Sequence, residues 1–114
     1  MRYALAAVII ATATMAHAAG AVPRLPEGTF YYSARDSLTA LGWRPAPLPA
    51  DRRFCTGGRE DVCERYPEAS ACSGSGLALC RFLWRRGDTL AEVTTYGEEV
   101  DMIRVQSVAC KAGC

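Results

Sequence analysis

Between Leu77 and Tyr96 apolar and polar residues alternate on either side of Gly87-Asp88. Side chains of a strand point to opposite faces in turn, and a Gly-Asp pair between two alternating runs is a two-residue hairpin signal. The pattern predicts a strand over 77–86 and a returning strand over 89–96. In that register Cys80 faces Thr95, Phe82 faces Val93 and Trp84 faces Ala91. Gly97-Glu98-Glu99 then turns the chain. A third strand over 101–109 would point Ile103 and Val105 to the same apolar face. Upstream the period changes. Ala34, Leu38 and Leu41 fall at i, i+4 and i+7, which predicts a helix from Ser33 to Leu41 with one apolar stripe. Ser33 is its expected cap and Asp36 the third helical residue, a near match to a capping box. Gly42 stops it, Trp43 can fold back onto Leu38, and Pro45, Pro47 and Pro49 keep regular structure from resuming. The expected fold is α+β, one short helix packed on a three-stranded antiparallel sheet. Phe82 and Trp84 would each contribute about 1.5–3 kcal/mol if fully buried.

The other sheet face would carry Leu79, Arg81, Leu83, Arg85, Leu90, Glu92, Thr94 and Tyr96. Arg81 and Arg85 flank Glu92 diagonally and can form a charge ladder. Aliphatic and tyrosine side chains between arginines suit a contact surface. The plainer reading is a solvated face with the aliphatic stems laid on the sheet. Residues 50–76 have no period. They hold Gly57-Gly58, Pro67, Gly74, Gly76 and three of the six cysteines. A stretch of that length is expected to be a covalently held loop. A helical turn over 59–66 fits within it, with Asp61 and Arg65 pairing at i, i+4.

The cysteines are Cys55, Cys63, Cys72, Cys80, Cys110 and Cys114, spaced C-x7-C-x8-C-x7-C-x29-C-x3-C. Paired zinc ligands usually stand two to four residues apart. Only Cys110 and Cys114 come near that, and no C-x-x-C redox motif is present. An even count reads as disulfides. Six cysteines allow fifteen pairings. The preferred set is Cys63–Cys72 around the loop, Cys55–Cys80 and Cys110–Cys114.

The compartment follows from the first residues. Met1-Arg2 is a charged start, Tyr3 to Met15 an apolar run, and Ala16-His17-Ala18 a small-x-small cleavage signature, with Ala19-Gly20-Ala21 as a fallback. The run is too short for a membrane span, which needs about 20 apolar residues. Residues 1–18 are therefore expected to be a removed signal peptide and 19–114 a single small disulfide-stabilised domain, periplasmic or secreted and without a membrane anchor. Loss of Arg2 with the leader cancels the +1 formal charge. A neutral chain has no bulk attraction for nucleic acid or anionic lipid. Twelve of the 13 basic residues are Arg, and Asn is absent, which excludes N-glycosylation.

The pieces Ala34-Arg35-Asp36-Ser37-Leu38, Gly42-Trp43-Arg44-Pro45, Cys63-Glu64-Arg65-Tyr66-Pro67-Glu68, Cys72-Ser73-Gly74-Ser75-Gly76 and Tyr96-Gly97-Glu98 resemble a group of small exported bacterial cysteine-containing proteins. That likeness spans most of the mature chain and implies export, but no activity, cofactor or catalytic residue. The helix-then-hairpin order is similar to the periplasmic modules of the outer-membrane-assembly lipoprotein and β-lactamase-inhibitor-protein type. The lipid-acceptor cysteine of the lipoprotein version is missing here.

Most hydrolytic chemistry lacks its parts. The only histidine, His17, leaves with the leader, so a Ser-His-Asp or Cys-His arrangement has no imidazole base. Ser73-Gly74-Ser75-Gly76 fails the G-x-S-x-G pattern, because Ser73 and Leu77 stand where glycines belong. Gly57-Gly58-Arg59 lacks the G-K-[ST] of a phosphate loop. Glu60, Asp61, Glu64 and Glu68 could supply paired carboxylates for glycoside hydrolysis or a calcium site. Arg59 and Arg65 interleave with them, as in ordinary surface ion pairs. Trp43 and Trp84 could stack sugars, although core packing is the default in a domain this small. The expected function is a non-catalytic binding or accessory domain whose partner is a cell-envelope or extracellular macromolecule, most simply a protein, with no cofactor or metal. Its candidate binding face is Leu79, Arg81, Leu83, Arg85, Leu90, Glu92 and Tyr96. The alternatives are a small carboxylate-dependent envelope hydrolase and a purely structural accessory.

Overall fold

The computed structural model describes residues 3, 6–11 and 21–114. The expected cleavage site at Ala18 lies outside the described residues, and the fallback Ala19-Gly20-Ala21 is described only at Ala21. No helix among the described residues is long and apolar enough to cross a membrane.

The chain is α+β, with a six-stranded mixed sheet in place of the expected three strands. Helix α1 covers Tyr31–Ala40 and α2 covers Glu60–Arg65, while a 3₁₀ turn covers Ala50–Arg52. The strands are β1 (Arg44–Pro45), β2 (Phe54–Cys55), β3 (Ala69–Cys72), β4 (Cys80–Arg86), β5 (Thr89–Tyr96) and β6 (Arg104–Ala112). The order is β2-β3-β4-β5-β6, with β1 also lying against β4. Strands β2 and β3 are parallel and the other pairs antiparallel.

The β4–β5 hairpin has the expected register, with Cys80 opposite Thr95, Phe82 opposite Val93 and Trp84 opposite Ala91. Strand β4 starts at Cys80 rather than Leu77, because Ala78 is held in a turn at φ +52°, its N–H donating to Ser75 O. The third strand of the expectation is β6, displaced three residues towards the C-terminus. Ile103 and Val105 do point inward.

Helix α1 begins two residues before the expected Ser33, and its first residues have no side-chain cap. Tyr31 overrides the cap signal, since its ring stacks on Phe82 with centroids 3.9 Å apart. Ala34 and Leu38 are buried, but Leu41 is exposed as the helix closes. The ending is a Schellman motif. Trp43 N–H donates to Leu38 O and Gly42 N–H to Thr39 O, with Gly42 at φ +85°. That turn delivers Trp43 into the core.

The segment 50–76 is not the irregular loop expected of it. Its helical turn is α2, and β2 and β3 extend the sheet. Arg53 explains how so short a set of elements holds together. Its guanidinium donates to Ala69 O at 2.9 Å, Cys63 O at 2.7 Å and Tyr66 O at 3.2 Å. One cation thus bonds the carbonyls of Cys63 and Tyr66 at the end of α2, the latter shared with Ala69 N–H, and ties β2's approach to β3. Arg65 pairs with Asp101 rather than Asp61, whose carboxylate accepts from Val62 N–H.

Candidate functional site

The three disulfides are Cys55–Cys63, Cys72–Cys80 and Cys110–Cys114. The tail bridge is as expected, and the other two correct the preferred pairing. The reason is register. Cys55 stands opposite Cys72 across β2–β3, and Cys72 opposite Cys80 across β3–β4, so three cysteines occupy one row of the sheet. The short arch through α2 returns Cys63 to the same place. The Sγ atoms of Cys55, Cys63 and Cys72 lie within 4.8 Å of one another. Three disulfides fit an oxidising, extracellular or periplasmic setting.

Beside that row sits Arg59, only 3% exposed. The expectation of a surface ion pair fails here, because no carboxylate meets it among the described residues. Its Nη2 donates to Cys80 Sγ at 3.2 Å and to Gly97 O at 3.0 Å. Its Nε and Nη1 are buried without a hydrogen-bond partner, as is Thr95 Oγ1, the residue facing Cys80.

The acidic group is divided. Glu60, Asp61 and Glu64 are solvent-facing or nearly so on α2, whereas Glu68 is wholly buried. Arg35 Nε donates to Glu68 Oε1 at 2.6 Å and Nη2 to Oε2 at 3.3 Å, while Tyr31 O–H donates to Oε1 at 2.9 Å. Trp84 Nε1–H donates to the Tyr31 hydroxyl at 3.0 Å. Burial, then the negative charge of Glu68, pushes the Tyr31 phenol well above its ordinary range. Burial alone would lower the Arg35 value, but the hydrogen bond and charge of Glu68 raise it. Glu68 is therefore committed to pinning α1 onto the start of β3, and Trp84 to the core rather than to an open stacking platform.

The candidate binding face is open only in part. Arg81 and Arg85 are exposed and make no ion pair among the described residues, while Leu79, Leu90 and Tyr96 are half-buried. Leu83 is 5% exposed and so withdrawn from contact. Its backbone is gripped from both neighbours on one edge, donating to Glu68 O and accepting from Ala46 N–H. Glu92 pairs with Lys111 at 3.5 Å instead of the arginine ladder. The sequence reading missed Phe54, which is 65% exposed and stands in one row with Ala71 and Arg81. These three, with Thr56, Cys72, Ser73 and Leu79, line a shallow concavity.

Comparison with known proteins adds no relative: no protein-family model, curated protein or solved structure matches the chain.

Proposed function

We propose that the chain is an exported, disulfide-stabilised binding domain that catalyses no turnover and contacts another protein of the cell envelope or extracellular space. The periplasmic or secreted setting rests on the leader-like first residues and on the three disulfides. The contact surface is the open part of the outer sheet face. The observation that carries it is the row Phe54, Ala71, Arg81, where an exposed aromatic ring and an unpaired guanidinium border one apolar concavity. Aromatic residues and Arg are the side chains most enriched at protein interfaces. With neither Arg81 nor Arg85 in an ion pair among the described residues, the complementary partner presents carboxylates beside an apolar group.

The test is retention of envelope proteins on the oxidised, immobilised mature domain. Phe54→Ser and Arg81→Glu should each abolish retention of the same bound species, while Tyr32→Ser, an exposed aromatic on α1, should leave it. Equal retention by all variants would remove the surface from consideration. Mass analysis of the exported protein should find a chain starting near Ala19, and an uncleaved cytosolic product would remove the compartment.

A further inference from the structure

Cys80 Sγ lies against Arg59 and is bonded to Cys72, whose sulfur is clustered with those of Cys55 and Cys63. We propose that Cys55, Cys63, Cys72 and Cys80 form a thiol–disulfide relay, in which the outer pair, once opened by an external dithiol, passes its electrons to the inner Cys72–Cys80 bridge. It is a stoichiometric exchange that needs no second protein besides the external dithiol, and by strand alternation the Cys72 and Cys80 side chains point away from those of Ala71 and Arg81 on the proposed contact surface.

Three observations carry this. First, access differs along the row. Cys55 and Cys63 are half-buried at the sheet edge, whereas Cys72 is 4% exposed and Cys80 is fully buried. A reductant meets the outer pair first. Second, the sulfurs of Cys55, Cys63 and Cys72 are mutually within 4.8 Å, so either outer thiolate can attack Cys72 Sγ after a small side-chain movement. Third, the leaving atom is prepared for. Arg59 is a buried cation that, among the described residues, meets no carboxylate and has two nitrogens without a hydrogen-bond partner, with Nη2 already at 3.2 Å from Cys80 Sγ. A buried charge left uncompensated is costly, and a thiolate at Cys80 compensates it. A neighbouring guanidinium lowers a thiol's pKa, and a low-pKa thiol leaves faster in exchange. The partnerless Thr95 hydroxyl, opposite Cys80, is a second donor for the same thiolate.

The steps balance. The external dithiol reduces Cys55–Cys63 to two thiols and becomes a disulfide. Cys63, having lost its proton to solvent, attacks Cys72 Sγ. The Cys63–Cys72 bond forms, Cys72–Cys80 breaks, and the electron pair stays on Cys80 as thiolate beside Arg59. Cys55, also deprotonated, then attacks Cys63 Sγ and re-forms Cys55–Cys63. Cys72 leaves as a thiolate and takes a proton from solvent. Two electrons have moved inward and one proton has gone to solvent.

The decisive variant is Cys55→Ser in the otherwise complete chain, which frees Cys63 and removes the resolving thiol. After acid-quenched alkylation and mass mapping of the non-reduced protein, the expected product is Cys63–Cys72 with the label on Cys80. A label on Cys63 with Cys72–Cys80 intact would overturn the relay. In the parent chain, dithiothreitol should open Cys72–Cys80 at least tenfold faster than in Cys55→Ser/Cys63→Ser, with Cys110–Cys114 read separately as the folding control. Equal rates would overturn it too. Arg59→Gln should raise the alkylation midpoint of Cys80 in the Cys55→Ser protein by at least one pH unit, and Arg59→Lys should restore it. An unchanged midpoint in Arg59→Gln would remove the thiolate role. Each readout is independent of any binding partner, so loss of the contact-surface proposal leaves this one standing or falling alone.

Discussion

Arg35 and Glu68, 33 residues apart in sequence, form a two-pronged ion pair whose carboxylate is wholly buried. The arginine reaches it from α1 while one-third exposed, its guanidinium 5.1 Å from the Tyr66 ring centroid. Removing one partner of a buried pair typically costs about 3–5 kcal/mol, and the partial exposure of Arg35 places Arg35→Ala at the lower end. The double change Arg35→Met/Glu68→Leu should cost clearly less than the two single changes added together, because no charge is then left unpaired. Urea unfolding of the four proteins measures the coupling. Strict additivity would mean that the pair does not act as a unit.

Tyr31 makes the same network sensitive to alkali. Its phenol is raised by burial and by Glu68, so the folded state holds the proton more tightly than the unfolded chain does. The associated stability is therefore complete below the unfolded tyrosine pKa of about 10 and is lost as pH rises towards the folded value. Stability from urea midpoints should fall from about pH 10 upward in the parent protein. Tyr31→Phe should start lower, having lost its bonds to Glu68 and Trp84, but should decline less steeply above that pH. Parallel alkaline slopes would place the sensitivity elsewhere, first at Tyr66, whose phenol is also raised by burial.

Arg53 is expected to be the keystone of the 50–72 region. Its loss leaves the carbonyls of Cys63, Tyr66 and Ala69 without that donor. Arg53→Ala should cost about 1–3 kcal/mol, the usual penalty for stranded polar groups. Amide exchange should quicken over α2 and β3 while the β4–β5 hairpin keeps its protection. Uniform quickening would mean that the region does not open on its own.

The hairpin and the helix stripe were legible because their signals are local. Alternation around Gly87-Asp88 fixes the register of Phe82 and Val93, and Gly42 marks a stop in whatever context Leu38 is packed. Strands β1, β2 and β3 left no such trace. Two to four residues are too few to show a period, and β2 pairs with β3 in parallel across an intervening helix. Pro45 also argues against a strand on local grounds, yet it is tolerated because β1 is a two-residue edge piece. The disulfide partners depended on that hidden pairing, which is why Cys55 and Cys80 were misjoined. Arg59 and Glu68 were misplaced for a different reason. Charged residues are ordinarily at the surface, and only the three-dimensional arrangement reveals a sulfur or a guanidinium waiting for them.

The sheet register can be tested through three adjacent residues of β4. Trp84 points into the core at 1% exposure, Leu83 lies on the other face at 5%, and Arg85 shares Leu83's face but is open to solvent. Trp84→Ala should cost about 3–5 kcal/mol and Leu83→Ala about 2–5, since both leave cavities. Arg85→Ala should change stability by less than about 0.5 kcal/mol. The pattern differs from that of a sheet with one bare face, where Leu83 and Arg85 would behave alike. A small effect at Leu83 would reopen the middle of the outer face to a partner. A large effect at Arg85 with little at Trp84 would mean a one-residue slip of β4. Such a slip would exchange the two faces, take Arg81 away from the Phe54 row and remove Cys80 from Arg59.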